Sequence, residues 1–106
     1  MDRADLRVSV TRGAGETVLS VHGELDVSTT DQLAETVVEE IRTGPGRIVL
    51  DLAELTFCDS LGLGTLVVLS RTARNQQCYL VLRKPSPFFI RMLDVTGVRE
   101  GLNIEE

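Results

Sequence analysis

The sequence predicts an α/β domain in which a mixed β-sheet of about four to five strands follows an N-terminal hairpin, with about three to four helices packed against the sheet. An alternating pattern around a Gly-rich turn indicates the hairpin. After it, short runs of branched apolar residues alternate with segments of helical periodicity, which favours right-handed crossovers between strands. With 106 residues, we expect one domain over residues 1–106 and a core of about 6–104.

The hairpin occupies the first part of the chain. Apolar and polar residues alternate over residues 6–10, residues 11–16 (TRGAGE) form the turn, and an extended pattern over residues 18–23 gives the second strand. His22 lies opposite the apolar residues of that strand, so we expect it to be exposed to solvent. No cysteine or second histidine lies near it in the sequence, and a metal site there is not expected.

The first helix follows the stretch DVSTT. Its apolar residues recur at intervals of three and four and form one stripe: Leu33, Ala34, Val37, Val38 and Ile41. Thr29 and Gln32 have the spacing of a capping box, which predicts the start of the helix. Gly44-Pro45 predicts its end.

The remaining elements alternate along the chain. Residues 47–52 (RIVLDL) are apolar on both faces, as expected of an interior strand that is covered on both sides or nearly so. A helix over residues 60–75 and a second interior strand over residues 78–83 follow. Residues 86–97 read as a helix with a serine cap, proline in the first turn and a glycine stop. A short strand over residues 102–104 completes the sheet.

Charge and composition argue against several classes of function and location. The formal net charge of −5 argues against a general nucleic-acid binder and a peripheral protein of anionic membranes, because both rely on a basic face. No run of roughly 20 apolar residues is present, and the charged start lacks the apolar core of a signal peptide, so we expect a cytoplasmic protein. Cys58 and Cys78 lack metal or redox spacing, which predicts buried thiols and no metal or cofactor.

Residues 57–64 (FCDSLGLG) carry the most unusual pattern. Gly62 and Gly64 fall at the start of a predicted helix, where each costs on the order of 1 kcal/mol relative to alanine. If Asp59 or Ser60 caps this helix, its first N–H groups point toward Ser60 and the glycines leave the backbone approachable. Ser60 is then presented to a partner. The alternative is an ordinary cap, with glycines that only allow close packing of the helix on the sheet.

Enzymatic patterns fit this segment poorly. A phosphate-binding loop requires Lys-Ser/Thr after the glycines, and a dinucleotide site requires a third glycine. A nucleophile elbow requires glycine two residues before Ser60, where Cys58 stands. We therefore expect a protein that is not an enzyme and has no catalytic residues.

Four motifs in order give the chain its resemblance to a known family: GELD at 23–26, IVLDL at 48–52, FCDSLGLGTL at 57–66 and LDVTGV at 93–98. Together they resemble an anti-sigma factor antagonist, the single-domain form of the sulfate transporter and anti-sigma antagonist (STAS) family. The resemblance extends from about Leu6 to Ile104. It implies a STAS domain that acts in bacterial partner switching and transcription regulation.

In that family, the unphosphorylated antagonist binds an anti-sigma factor that is also a serine kinase, which frees a sigma factor. The kinase then phosphorylates a serine, the complex separates, and a serine phosphatase resets the system. The resemblance places this phosphorylation at Ser60 and implies the following partner-binding residues: Asp26, Asp59, Ser60, Leu61, Gly62, Leu63 and Gly64. Leu61 departs from the family pattern, which usually has Ser or Thr at this position. Two consequences stay open: a changed kinase preference, or a family member that is not phosphorylated.

Two alternatives also stay open. The same domain occurs as an accessory module of transport systems, where it binds a transporter protein and need not be phosphorylated. A second surface around Phe88 and Phe89 leaves weak homodimerisation open, although core packing accounts for at least one of these side chains.

Overall fold

The computed structural model describes residues 5–105 as five strands, three α-helices and one short 3-10 helix. Along the chain these are β1 (Leu6–Arg12), β2 (Glu16–Leu25), α1 (Thr30–Arg42), β3 (Arg47–Cys58), α2 (Ser60–Asn75), β4 (Tyr79–Arg83), α3 (Pro87–Thr96), the 3-10 helix Arg99–Gly101, and β5 (Ile104–Glu105). No helix among these residues is long and apolar enough to cross a membrane.

The strands lie in the sheet in the order of the sequence, β1-β2-β3-β4-β5. The hairpin strands β1 and β2 are antiparallel, and every later neighbour is parallel. Because parallel neighbours require a crossover, one helix follows each of β2, β3 and β4 before the next strand begins. The mixed five-stranded sheet with three helices confirms the predicted fold class.

All three helices pack on one face of the sheet, where they form a single apolar core. The strand residues in this core alternate with residues on the other face, as in Ile48, Leu50 and Leu52 of β3. Each helix contributes buried apolar side chains: Leu33, Val37 and Ile41 from α1, Leu63, Leu66 and Leu69 from α2, and Phe89 and Leu93 from α3.

The opposite face of the sheet holds two buried valines and a set of ion-paired residues. Val49 and Val81 are partners in neighbouring strands, and both are buried although they lie outside the core cluster. The alternation of each strand places Arg47 and Arg83 on this same face. Ion pairs join Glu16, Arg47, Glu105 and Arg83. The apolar runs in β3 and β4 indicated burial on both faces, and on the second face this holds for Val49 and Val81, which lie among ion-paired residues.

The predicted capping box of α1 is wrong. Thr29 is the N-cap residue, but its side chain forms no hydrogen bond with the helix. Its hydroxyl donates to the Glu24 carbonyl oxygen at 2.8 Å and accepts from the Asp26 N–H at 2.9 Å. The Gln32 side-chain amide instead donates to the carbonyl oxygen of Leu6 at 2.8 Å. Thr29 thus holds the loop before α1, and Gln32 binds the edge strand β1. Neither side chain is available to cap the N-terminus of the helix.

Strand β3 continues to Cys58, well past the predicted end at residue 52. Its pairing with β2 contains two register shifts, one between Ser20 and His22 and one between Gly23 and Glu24. His22 is half-buried rather than freely exposed, because β2 is an interior strand with neighbours on both sides. The last strand begins at Ile104 instead of residue 102.

Candidate functional site

The candidate site lies where β2 and β3 end side by side. Leu25 is the register partner of Cys58, and the Asp59 N–H donates to the Leu25 carbonyl oxygen at 3.2 Å. Because the two strands are parallel, the segments that follow them emerge at the same edge of the sheet. Asp26 and Ser60 are the first residues after this hydrogen-bonded contact, so both belong to one surface.

Asp59, and not Ser60, caps helix α2. Its backbone is extended, and its Oδ1 accepts a hydrogen bond from the Gly62 N–H at 2.7 Å. The Asp59 carbonyl oxygen accepts from the Leu63 N–H at 2.9 Å, which begins the helical ladder. Ser60 is the first helical residue and is exposed. Its hydroxyl is therefore free of the capping role and is presented at the surface.

The two glycines of α2 have different roles. A Cβ at Gly62 would lie 2.8 Å from the Leu25 carbonyl oxygen and 3.1 Å from the Cys58 sulfur, so this glycine lets the helix approach the ends of β2 and β3. A Cβ at Gly64 would meet nothing within 4 Å, and Gly64 is exposed. The close packing that the sequence allowed is thus present at Gly62, and Gly64 leaves an accessible surface near Ser60; docking of a partner there stays a prediction.

Beside Ser60, an apolar groove runs between α1 and α2. It has a volume of about 370 Å³. Its lining comes from both helices: Ala34, Ser60, Leu61, Gly64, Thr65, Val68 and Leu69. Leu61 is 50% exposed and Val68 is 55% exposed, which is high for large apolar side chains on a helix. The acceptor candidate Ser60 thus stands at the end of an apolar surface.

The loop that carries Asp26 is held by the carboxylate itself. Asp26 Oδ1 accepts hydrogen bonds from the Ser28 N–H at 2.9 Å and the Ser28 hydroxyl at 2.7 Å. The hydrogen bond from the Ser28 hydroxyl lowers the pKa of Asp26 below its ordinary value, because it favours the ionised form. Asp26 is therefore a fixed negative charge at the site, and the neighbouring Val27 is 72% exposed.

A family model described as "Mlab, STAS domain" matches residues 8–104, nearly the whole chain. The chain belongs to the STAS domain family. The anti-sigma-B factor antagonist of Listeria monocytogenes is 34% identical over 88 residues, which cover 80% of this chain and 75% of that protein.

Two solved structures have the same fold. An anti-sigma factor antagonist from Mycobacterium paratuberculosis is 25% identical and superposes with a TM-score of 0.78, covering 94% of this chain and 85% of that chain. The Bacillus cell fate determinant SpoIIAA, in its phosphorylated form, is 20% identical with a TM-score of 0.70, covering 96% of this chain and 92% of that chain.

The STAS fold brings the seven expected partner-binding residues together at one edge, but it buries two of them. Leu63 is 3% exposed and belongs to the core, and Gly62 is enclosed by Leu25 and Cys58. These two residues position the start of α2 and offer no side-chain surface, and partner contact at the seven residues stays a prediction. The accessible members are Asp26, Asp59, Ser60, Leu61 and Gly64.

Sequence reasoning missed the part of the STAS surface that lies further along α2 and on α1. Thr65 and Val68 lie four and seven residues after Leu61, a spacing that places all three on one side of a helix. That spacing was the available signal. Ala34 was placed in the apolar stripe of α1, but the approach of α1 to α2 that makes it part of a groove follows from the tertiary structure.

The thiol closest in sequence to Ser60 is buried. Cys58 is 2% exposed, and burial is the largest cause that raises its pKa to about 12, followed by the charge of Asp59. Burial also raises the pKa of Cys78. Within residues 5–105, no three His, Cys, Asp or Glu side chains are placed to hold a metal ion. The chemistry that this site offers is the hydroxyl of Ser60 and an apolar contact surface.

Proposed function

We propose that this STAS domain is an anti-sigma factor antagonist that acts by binding rather than by catalysis. In its unphosphorylated form it binds an anti-sigma factor with serine kinase activity and so releases a sigma factor. Phosphorylation of Ser60 by that kinase separates the complex, and a serine phosphatase restores the binding form. The anti-sigma-B factor antagonists among its relatives support this role.

One observation carries the proposal: Ser60 is exposed at the first position of α2 while Asp59 supplies the cap. A kinase can therefore modify the Ser60 hydroxyl without removing a hydrogen bond that starts the helix. Leu61 leaves no second hydroxyl beside Ser60. The next hydroxyl of α2, on Thr65, donates to the Leu61 carbonyl oxygen at 3.0 Å.

A phosphoryl group on Ser60 changes the surface more than the fold. It adds roughly 1.5 to 2 negative charges, and a helix N-terminus favours an anion at that position. The carboxylates of Asp26 and Asp59 at the same edge partly offset this gain by repulsion. A partner that covers Ser60 would have to desolvate the phosphoryl group, which lowers its affinity.

The test measures binding and modification together. An anti-sigma factor is captured from native lysate with this chain, purified, and titrated by calorimetry with wild type, Ser60→Ala and Ser60→Asp. We expect Ser60→Ala to bind like wild type and to resist release by ATP. We expect Ser60→Asp to bind at least about tenfold more weakly, as a partial mimic of phosphoserine. Ser9→Asp, at an exposed serine of β1, is the matched control and should bind like wild type.

Mass spectrometry after incubation with the anti-sigma factor and ATP should find phosphate on Ser60 of wild type and of the Ser9 variant. Circular dichroism confirms that each variant is folded. Tight binding by Ser60→Asp, together with no phosphate on Ser60, would contradict the proposal. The transport-module alternative would then become the better account.

A further inference from the structure

Helix α2 presents a cavity of the kind that receives a side chain from another helix. Leu61, Gly64, Thr65 and Val68 occupy positions i, i+3, i+4 and i+7, which are the four corners of a hole in knobs-into-holes packing. Leu61 and Val68 stand out as exposed apolar walls. Gly64 forms the third corner with no side chain, and the space where its Cβ would lie is open. The missing side chain deepens the hole.

Helix α1 borders this hole, and acidic residues of α1 lie next to the residue that lines it. Ala34 lines the groove and also lines an adjoining hollow on α1, together with Glu35, Val38, Glu39 and Arg42. No charged residue lies in the lining of the groove itself. Arg42 is paired with Glu39 at 3.7 Å, which leaves Glu35 as the acid beside Ala34 and Val38. The surface is therefore an apolar hole with a negative border.

We propose that the hole formed by Leu61, Gly64, Thr65 and Val68 receives an amphipathic α-helix of the anti-sigma factor, with a large apolar side chain entering at Gly64 and Lys or Arg facing Glu35. This inference rests on the proposed function and adds the chemistry of the partner segment. The apolar corners match a helical knob, and the border of α1 matches a basic flank.

This occupant also explains how a phosphoryl group at Ser60 would oppose docking to a partner that carries positive charge. Ser60 lines the same groove as Leu61 and Gly64. A phosphoryl group there lies against the apolar part of the contact, where water is expelled and no cation is available to it. The cost is therefore desolvation of a dianion against apolar side chains, which opposes docking.

The test uses the purified anti-sigma factor and three variants of this chain. Gly64→Leu fills the hole, and Asn75→Leu adds the same side chain at an exposed position of α2 outside the groove. We expect Gly64→Leu to fold normally and to weaken binding by at least about tenfold, and Asn75→Leu to leave it unchanged. Glu35→Lys should weaken binding about threefold or more at low salt, with a smaller effect at high salt.

Cross-linking identifies the occupant directly. A benzophenone amino acid replaces Arg71, an exposed residue of α2 one turn after Val68 and outside the hole, and in the control it replaces Val95, an exposed residue of α3. After irradiation, peptide mass spectrometry should locate the Arg71 cross-link in a segment of the anti-sigma factor with apolar residues at helical spacing and nearby Lys or Arg. The Val95 position should give no such product.

The outcomes separate the two proposals. Wild-type affinity in Gly64→Leu, or a cross-link to a segment without that pattern, overturns the helix-in-groove inference while Ser60-dependent binding stands. If wild type captures no anti-sigma factor from the lysate, the proposed function has failed and this inference fails with it.

Discussion

Replacement of each α2 glycine by alanine should change stability in opposite directions. Gly62→Ala introduces a Cβ that meets the Leu25 carbonyl oxygen at 2.8 Å, the Leu25 Cγ at 2.9 Å and the Cys58 sulfur at 3.1 Å. The carbonyl oxygen belongs to the backbone of β2 and cannot rotate away. The helix or the strand end must therefore move.

The magnitude follows from two opposing effects. Alanine is a better helix former than glycine by about 1 kcal/mol, and overpacking a core costs about 1–3 kcal/mol. The backbone contact places the cost of Gly62→Ala at the upper end, so the free energy of unfolding should fall by about 2 kcal/mol. Gly64→Ala meets nothing within 4 Å, keeps the helical gain, and should raise the free energy of unfolding by about 1 kcal/mol.

Urea unfolding at 25 °C measures both changes in the free energy of unfolding, and thermal unfolding measures the melting temperature; far-ultraviolet circular dichroism follows both transitions. For a domain of this size we expect the melting temperature to fall on the order of 10 °C in Gly62→Ala and to rise by about 5 °C in Gly64→Ala. Unchanged m values would show that the comparison concerns the native state. If Gly62→Ala is as stable as wild type, the close approach of α2 to Leu25 is not a requirement of the fold, and the reasoning is refuted.

Three further predictions concern the pKa of Asp26, the reactivity of Cys58 and the ion pair between Arg12 and Glu40. Nuclear magnetic resonance titration should give Asp26 a pKa below its ordinary 3.8, so its stabilisation is present above that pH and is lost as the pH falls through the lowered pKa. Ser28→Ala should raise this pKa, and an unchanged value would contradict the hydrogen-bond explanation. Cys58, with a pKa of about 12, should resist iodoacetamide at pH 8 until urea unfolds the chain; alkylation of native protein would refute its burial. Arg12→Ala should destabilise more than Glu40→Leu, because it leaves a buried carboxylate unpaired; equal thermal melting would oppose this.

The elements that local signals specify could be predicted from the sequence. Ser86 caps α3 by accepting from the Phe89 N–H at 3.1 Å, and Gly97 ends that helix with φ of 75°. Gly44 donates to the Ile41 carbonyl oxygen just after α1. These signals involve residues within a few positions of each other, so the residue types alone are informative.

Features that depend on contacts between distant residues could not be predicted in the same way. The extension of β3 to Cys58 requires two register shifts against β2, and no residue pattern in β3 marks them. Thr29 and Gln32 had the spacing of a capping box, but the approach of the edge strand gave Gln32 a different acceptor. Local spacing is compatible with both arrangements, and the tertiary structure selects one.

In the candidate site, too, local features could be predicted from the sequence, and features that depend on distant contacts could not. Asp59-Ser60 at a helix start could be read from the sequence, and the structure adds that Asp59 alone supplies the cap. The roles of the two glycines could not be separated, because glycine is the same residue at both positions and only the proximity of Leu25 distinguishes them. Likewise, the groove requires α1 and α2 to be neighbours, which no motif encodes.

At the start of α2, different residues start the helix, pack it on the sheet and offer the hydroxyl. These separate roles explain why the proposed switch can act on a partner without unfolding its own domain. Asp59 starts the helix, and Gly62 keeps the helix close to the ends of β2 and β3 through buried contacts. Ser60 contributes to neither contact, so its modification leaves both in place. Its position is nevertheless set by them, beside an apolar groove. A charge added at such a point alters the free energy of docking while the packing that holds the residue stays the same.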